Sequence, residues 1–139
     1  MSAASNYLEK ALLDHVLGGG AAYTRPTTRY LALFTNTSGS AAANLEAGVI
    51  TDEVSGGSYV RKAITFDAAV VGANTTAASA ATVTFDAATA NWGTITHVAV
   101  LDAATAGNVL FYGAVTTPKQ IEIGDTFQVT SGNLTISLA

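Results

Sequence analysis

The stretch Thr94-Ile95-Thr96-His97-Val98-Ala99-Val100-Leu101 decides the fold class, because it opens in polar–apolar alternation and closes as an apolar run. Alternation is the period of a strand, and a short apolar run bounded by turn residues marks a strand buried in a core. Residues 102–107 read as a turn, and residues 108–115 as the partner strand. Pro118 is expected to break the chain before Gln120-Ile121-Glu122-Ile123, since it has no N–H to give a ladder. Gly124-Asp125 then leads into residues 126–130. Ser131-Gly132-Asn133 turns the chain again into Leu134-Thr135-Ile136-Ser137-Leu138, whose Leu, Ile and Leu share one face.

Outward from this half, Thr82-Val83-Thr84-Phe85 puts Val83 and Phe85 on one face. Arg29-Tyr30-Leu31-Ala32-Leu33-Phe34 reads as a core strand, and residues 59–66 as another. Two long connections, residues 35–57 and 67–80, are rich in Ala, Asn, Thr and Gly. Connections of that length are uncommon in a compact domain unless they are functional or mobile, so residues 35–57 are a candidate contact region. One helix is clearly written. Asn6 is its expected N-cap, with Glu9 completing a capping box. Leu8, Ala11, Leu12, His15 and Val16 follow at helical spacing, and Gly18-Gly19-Gly20 stops the helix. The expectation is an all-β chain: a jelly-roll-like antiparallel β-sandwich of about eight strands over residues 27–139, after one N-terminal α-helix over residues 6–17. It is read as a single domain, 1–139.

A chain of 139 residues can bury a core without staples. Charged residues make up only 12%, about half the usual share. A surface of Thr, Ser, Asn, Ala and Gly costs little to desolvate, because no ion has to leave water when a partner docks. The net charge of −4 and six scattered Lys and Arg leave no basic stripe, which argues against nucleic acid. There is no cysteine for disulfides or thiolate metal sites. No apolar run approaches the roughly 20 residues of a membrane span, so no membrane partner is expected. Met1-Ser2-Ala3-Ala4-Ser5 lacks a signal peptide's basic and apolar segments, which suggests use in a cytoplasm or a particle assembled there.

Chemistry is thinly represented. His97, expected opposite Ile95 and Ala99, could be paired with Asp102 and a hydroxyl, but the strained nucleophile turn of a triad is missing. It reads as a solvent- or interface-facing imidazole, and His15 as a packing residue with one polar edge. Asp52-Glu53 is the adjacent acid pair; a calcium site lacks the rest of its ligand pattern, so a solvated acidic loop is expected. Gly18-Gly19-Gly20 follows a helix and has no Lys-Ser/Thr after it, so it is no phosphate loop. Trp92 beside Gly93 reads as a core anchor ahead of a sugar-stacking platform, a role that Tyr59 and Tyr112 could share. No cofactor is expected, and no catalytic residue.

The segments Asn91-Trp92-Gly93-Thr94-Ile95-Thr96-His97 and Leu101-Asp102-Ala103-Ala104-Thr105-Ala106-Gly107-Asn108-Val109-Leu110 carry a family resemblance. Gly113, Thr117-Pro118-Lys119, Ile123-Gly124-Asp125-Thr126 and Gly132-Asn133-Leu134-Thr135-Ile136 extend it, as do Asn6-Tyr7-Leu8-Glu9 and Asp14-His15-Val16-Leu17-Gly18-Gly19. Together they resemble small tailed-phage virion proteins, often labelled tail-fibre proteins, some of which are capsid cement or decoration proteins with jelly-roll folds. The resemblance implies a non-enzymatic virion component. Its favoured role is a homo-oligomeric cement on the outer capsid, clamping the major capsid protein; the alternative is a tail-fibre, host-binding module. Leu8, Leu12 and Val16 on the helix, with Asp52, Glu53 and Tyr59, are the candidate interaction residues.

Overall fold

The computed structural model describes residues 2–138. Its elements are β1 (Ala3–Ala4), α1 (Asn6–Leu17), β2 (Arg29–Phe34), α2 (Ala41–Glu46), β3 (Lys62–Ile64) and β4 (Thr75–Ala78). β5 (Val83–Thr84), β6 (Gly93–Leu101), β7 (Val109–Ile121), β8 (Gln128–Val129) and β9 (Thr135–Leu138) complete it. An antiparallel sheet in the order β1-β7-β6-β2-β3 forms one layer. The ribbons β4-β9 and β5-β8 form the facing layer of the sandwich. Among the described residues nine strands stand where about eight were expected, and a second helix joins α1.

The central strands read as continuous apolar runs because both of their faces are covered, which leaves no face for polar alternation. Leu31, Leu33, Val98 and Val100 face the main core with Val83, Phe85, Trp92 and Phe127. Ala32, Phe34, Ala99 and Leu101 face a second cluster with Val109 and Leu45 of α2. Residues 35–57 are therefore no free loop. They fold α2 over the outer face of the five-stranded sheet, with Asn36 Oδ1 accepting from Ala41 N at 2.9 Å and Val54 N donating to Leu33 O at 3.0 Å.

Two further expectations need correcting. Pro118 does not break the strand: β7 runs through it to Ile121. The ladder pairs Ile95 with Lys119 and His97 with Ala114, so Thr96 alone faces residues 115–118. Pro118 sits in that bulge, where the ladder asks it for no N–H. The irregularity also reverses the faces. Regular alternation places residues 95, 97 and 99 on one face. Here Ile95 belongs to the main core, whereas His97 pairs with Phe34 on the same side as Ala99. The expectation of His97 opposite both therefore holds for Ile95 alone, and only because of the bulge. Residues 67–80 are likewise more than a connection, since they contain β4. The strand expected over residues 59–66 shortens to Lys62–Ile64, because Tyr59 lies after a turn in which Gly56, Gly57 and Ser58 all have positive φ.

The helix begins one residue earlier than Asn6 suggests. Ser5 is the N-cap, its buried hydroxyl accepting from Leu8 N at 3.3 Å and donating to Val109 O of β7. Glu9 then falls one position beyond that of a capping box. Gly18 ends the helix as expected, at φ 75°, and its N–H bonds Asp14 O.

Candidate functional site

The six candidate interaction residues fall into two groups. On α1, Leu8 is buried in the main core and Leu12 packs partly against it, so both are used by the fold itself. Val16 is 74% exposed, and with Leu13 and Leu17 it forms an apolar end to the helix. The intended stripe is thus divided: its first two turns anchor the helix and its last turn faces solvent. His15 Nδ1 accepts from Tyr23 N at 3.1 Å, fastening the chain reversal after Gly18-Gly19-Gly20.

Asp52, Glu53 and Tyr59 lie together but not as a solvated acidic loop. Asp52 is buried, and its carboxylate accepts from Ser38 N at 2.9 Å, Ser38 Oγ and Thr37 Oγ1 at 3.0 Å. Hydrogen bonds from Ser38 are the main reason its pKa lies below the ordinary aspartate value. Both Asp52 oxygens are taken by the turn that leads into α2.

Glu53 forms a two-pronged ion pair with Arg61, Nε to Oε1 and Nη2 to Oε2, both at 2.7 Å. Arg61 Nη1 donates to Ala103 O at 2.8 Å and Ala106 O at 2.7 Å, tying the β6–β7 turn to this pair. Donating to the Glu53 carboxylate raises the guanidinium's pKa further, so it stays charged. Tyr59 donates to Glu53 Oε1 at 2.9 Å and accepts from Leu33 N at 3.0 Å. Burial first, and Glu53 second, push its phenol pKa well above the ordinary value. Sequence reasoning missed Arg61, which no spacing distinguishes from any other basic residue before a strand.

The aromatic residues that might have stacked on a ligand pack on each other instead. Tyr59 stacks on Phe85 at 6.0 Å and meets Trp92 edge-on at 5.5 Å, while Phe85 meets Phe127 edge-on at 5.9 Å. Trp92 is buried and its Nε1 donates to Gly57 O at 2.9 Å. The core-anchor reading holds. Tyr112 is partly buried against the second cluster, where burial and then Glu46 raise its pKa. His97 bonds Thr96 Oγ1 through Nδ1 at 2.8 Å, and burial lowers its pKa, which favours neutral imidazole. No cluster of three His, Cys, Asp or Glu that could hold a metal occurs among the described residues. No helix there is long and apolar enough to cross a membrane.

What the molecule presents outward is surface. Val70 and Val71 are 67% and 85% exposed on the arm leading to β4. A cleft of about 470 Å³ opens between β7 and the segment running from β8 to β9, and none of its lining residues is charged. These features define a β-sandwich with an uncharged cleft and an exposed apolar arm. A family model described as podophage GP4 fiber I protein gp80 matches residues 3–137, and the chain belongs to that family. It is thereby a member of a family of phage virion structural proteins. No curated protein matches it.

Proposed function

We propose that this chain is a non-enzymatic subunit of the tail-fibre apparatus, joining other virion proteins through uncharged surfaces. The observation that carries the reading is the fibre-family match across nearly the whole chain, on a sandwich whose candidate acids are spent internally. A fibre protein meets its partners by surface burial, and a surface poor in ions gives up little hydration when it docks. The expected partners are further copies of the chain and neighbouring tail proteins.

The sandwich dimensions favour a second reading. No extended shaft occurs among the described residues, and a compact subunit also suits a cement protein seated on the outer capsid against the major capsid protein. The two stations separate in one experiment on particles lacking the gene product. A fibre subunit predicts loss of adsorption to host cells with unchanged thermal release of DNA. A cement subunit predicts release at lower temperature, restored by adding back the protein, with adsorption intact. Normal adsorption and normal heat release together would sink both.

A further inference from the structure

β8 and β9 are joined by the short turn at residues 131–133, with Asn133 N donating to Thr130 O at 3.0 Å, yet they do not pair. β8 leaves to pair with β5, and β9 leaves to pair with β4. The cleft of about 470 Å³ lies between them. In an antiparallel ladder alternate residues aim their N–H and C=O at each neighbour. Phe85 N bonds Phe127 O, so Gln128 aims its peptide groups away from β5, toward the cleft. Ser79 N bonds Leu134 O, so Thr135 and Ser137 aim theirs away from β4. Ser137 N indeed donates to Ser2 Oγ on that side, at 3.0 Å. Alternation along β7 places Phe111, Gly113 and Val115 on the cleft floor, and Gly113 has no side chain to fill it.

The same molecule carries an element of matching chemistry that it does not use. Residues 66–79 form a narrow hairpin held by Val70 N to Thr76 O at 2.7 Å and Thr76 N to Val70 O at 3.0 Å. Every residue from 67 to 75 is exposed, and from Ala68 to Thr75 none is charged. The arm leaves from the β4 side of β9, and the cleft opens on the other side, so β9 separates the arm from its own cleft.

We propose that the arm tip at Val70 and Val71 of one copy enters the β8–β9 cleft of a second copy. An uncharged cleft takes an uncharged hairpin tip whose exposed valines cover the floor. The cleft-facing peptide groups of Gln128 and Thr135 lie beside it, since Ser2 already takes Ser137 N and Thr76 takes both peptide groups of Val70. The contact is heterologous, arm to cleft, and each copy has one of each. Such contacts build rings or open filaments rather than closed pairs. The geometry is independent of whether the virion station is fibre or shell.

The test uses the full chain in sedimentation velocity and native mass spectrometry. The wild type should self-associate, with little change between low and moderate salt. Val71→Asp removes the arm contact, and Gly113→Leu fills the cleft. Each alone should weaken association roughly tenfold or more, the scale for losing a central interface side chain. Mixing the two variants should restore association, but only to a one-to-one dimer, because one supplies the cleft and the other the arm. Val115→Trp serves as a second cleft-filling variant, and far-ultraviolet circular dichroism checks that each variant is folded. A wild type that stays monomeric at the highest reachable concentration overturns the proposal. So do folded variants that associate like the wild type, or a mixture that restores nothing.

Discussion

Arg61 offers the sharpest test of what holds the long 35–57 segment in place. Its side chain is only 3% exposed, and that of its partner Glu53 is 15% exposed. Arg61→Met keeps the side-chain stem but strands the Glu53 carboxylate and frees the Ala103 and Ala106 carbonyls. Breaking a buried ion pair from one side costs about 3–5 kcal/mol, because the remaining charge loses both water and partner. At roughly 3 °C per kcal/mol for a chain of this size, the melting temperature should fall about 10–15 °C. Adding Glu53→Gln removes the orphaned charge while leaving an oxygen for the Tyr59 hydroxyl. The double variant should therefore be more stable than Arg61→Met alone, with roughly 1–3 kcal/mol remaining for the freed carbonyls. Urea unfolding of the wild type, both single variants and the double variant measures the full cycle. If Arg61→Met loses less than about 1 kcal/mol, or the two changes simply add, water reaches the site and the pair is no staple.

Three further outcomes follow from the same structure. Ser5→Ala should cost about 1–2 kcal/mol in thermal or urea unfolding, since it removes the N-cap and leaves Val109 O without its hydroxyl donor. Trp92→Ala should cost about 3–5 kcal/mol, as for a buried aromatic residue, and leave any glycan binding by the folded protein unchanged, because the ring faces the core. Asp52 has a folded pKa below its unfolded one, so its contribution is present above the unfolded value and is lost as pH falls through the folded value. Asp52→Asn should flatten stability against pH in that acidic window, and an unchanged acid profile would refute the Asp52 anchor.

Much of the strand pattern was legible because it depends on local period. Residues 29–34 and 94–101 carry apolar runs that suit a buried strand, and both are central strands of the sheet. Gly18 marked the end of α1 because a left-handed C-cap favours a residue without Cβ. Even Trp92 was read as a core anchor from its place before a strand. Composition alone also set how little charge the surface carries, since that depends on residue totals rather than neighbours.

What remained was decided by contacts between residues far apart in the chain. Asp52 and Glu53 look like any exposed acid pair until Ser38 and Arg61 are folded onto them, and no local rule supplies that pairing. Pro118 is a strand breaker by sequence, yet the bulge opposite Thr96 spares it a ladder bond, and the same bulge turns His97 to the face opposite Ile95. The helix stripe looked continuous, but the core takes only Leu8 and part of Leu12 and leaves Val16 in water. The sequence marks a turn at residues 131–133 but not the partners of its two strands; β5 and β4 draw them apart and open the cleft. Periodicity is a property of a few consecutive residues and survives in the sequence. Which strand wins a partner is settled by the free energy of the whole packed core, and only the tertiary structure records it.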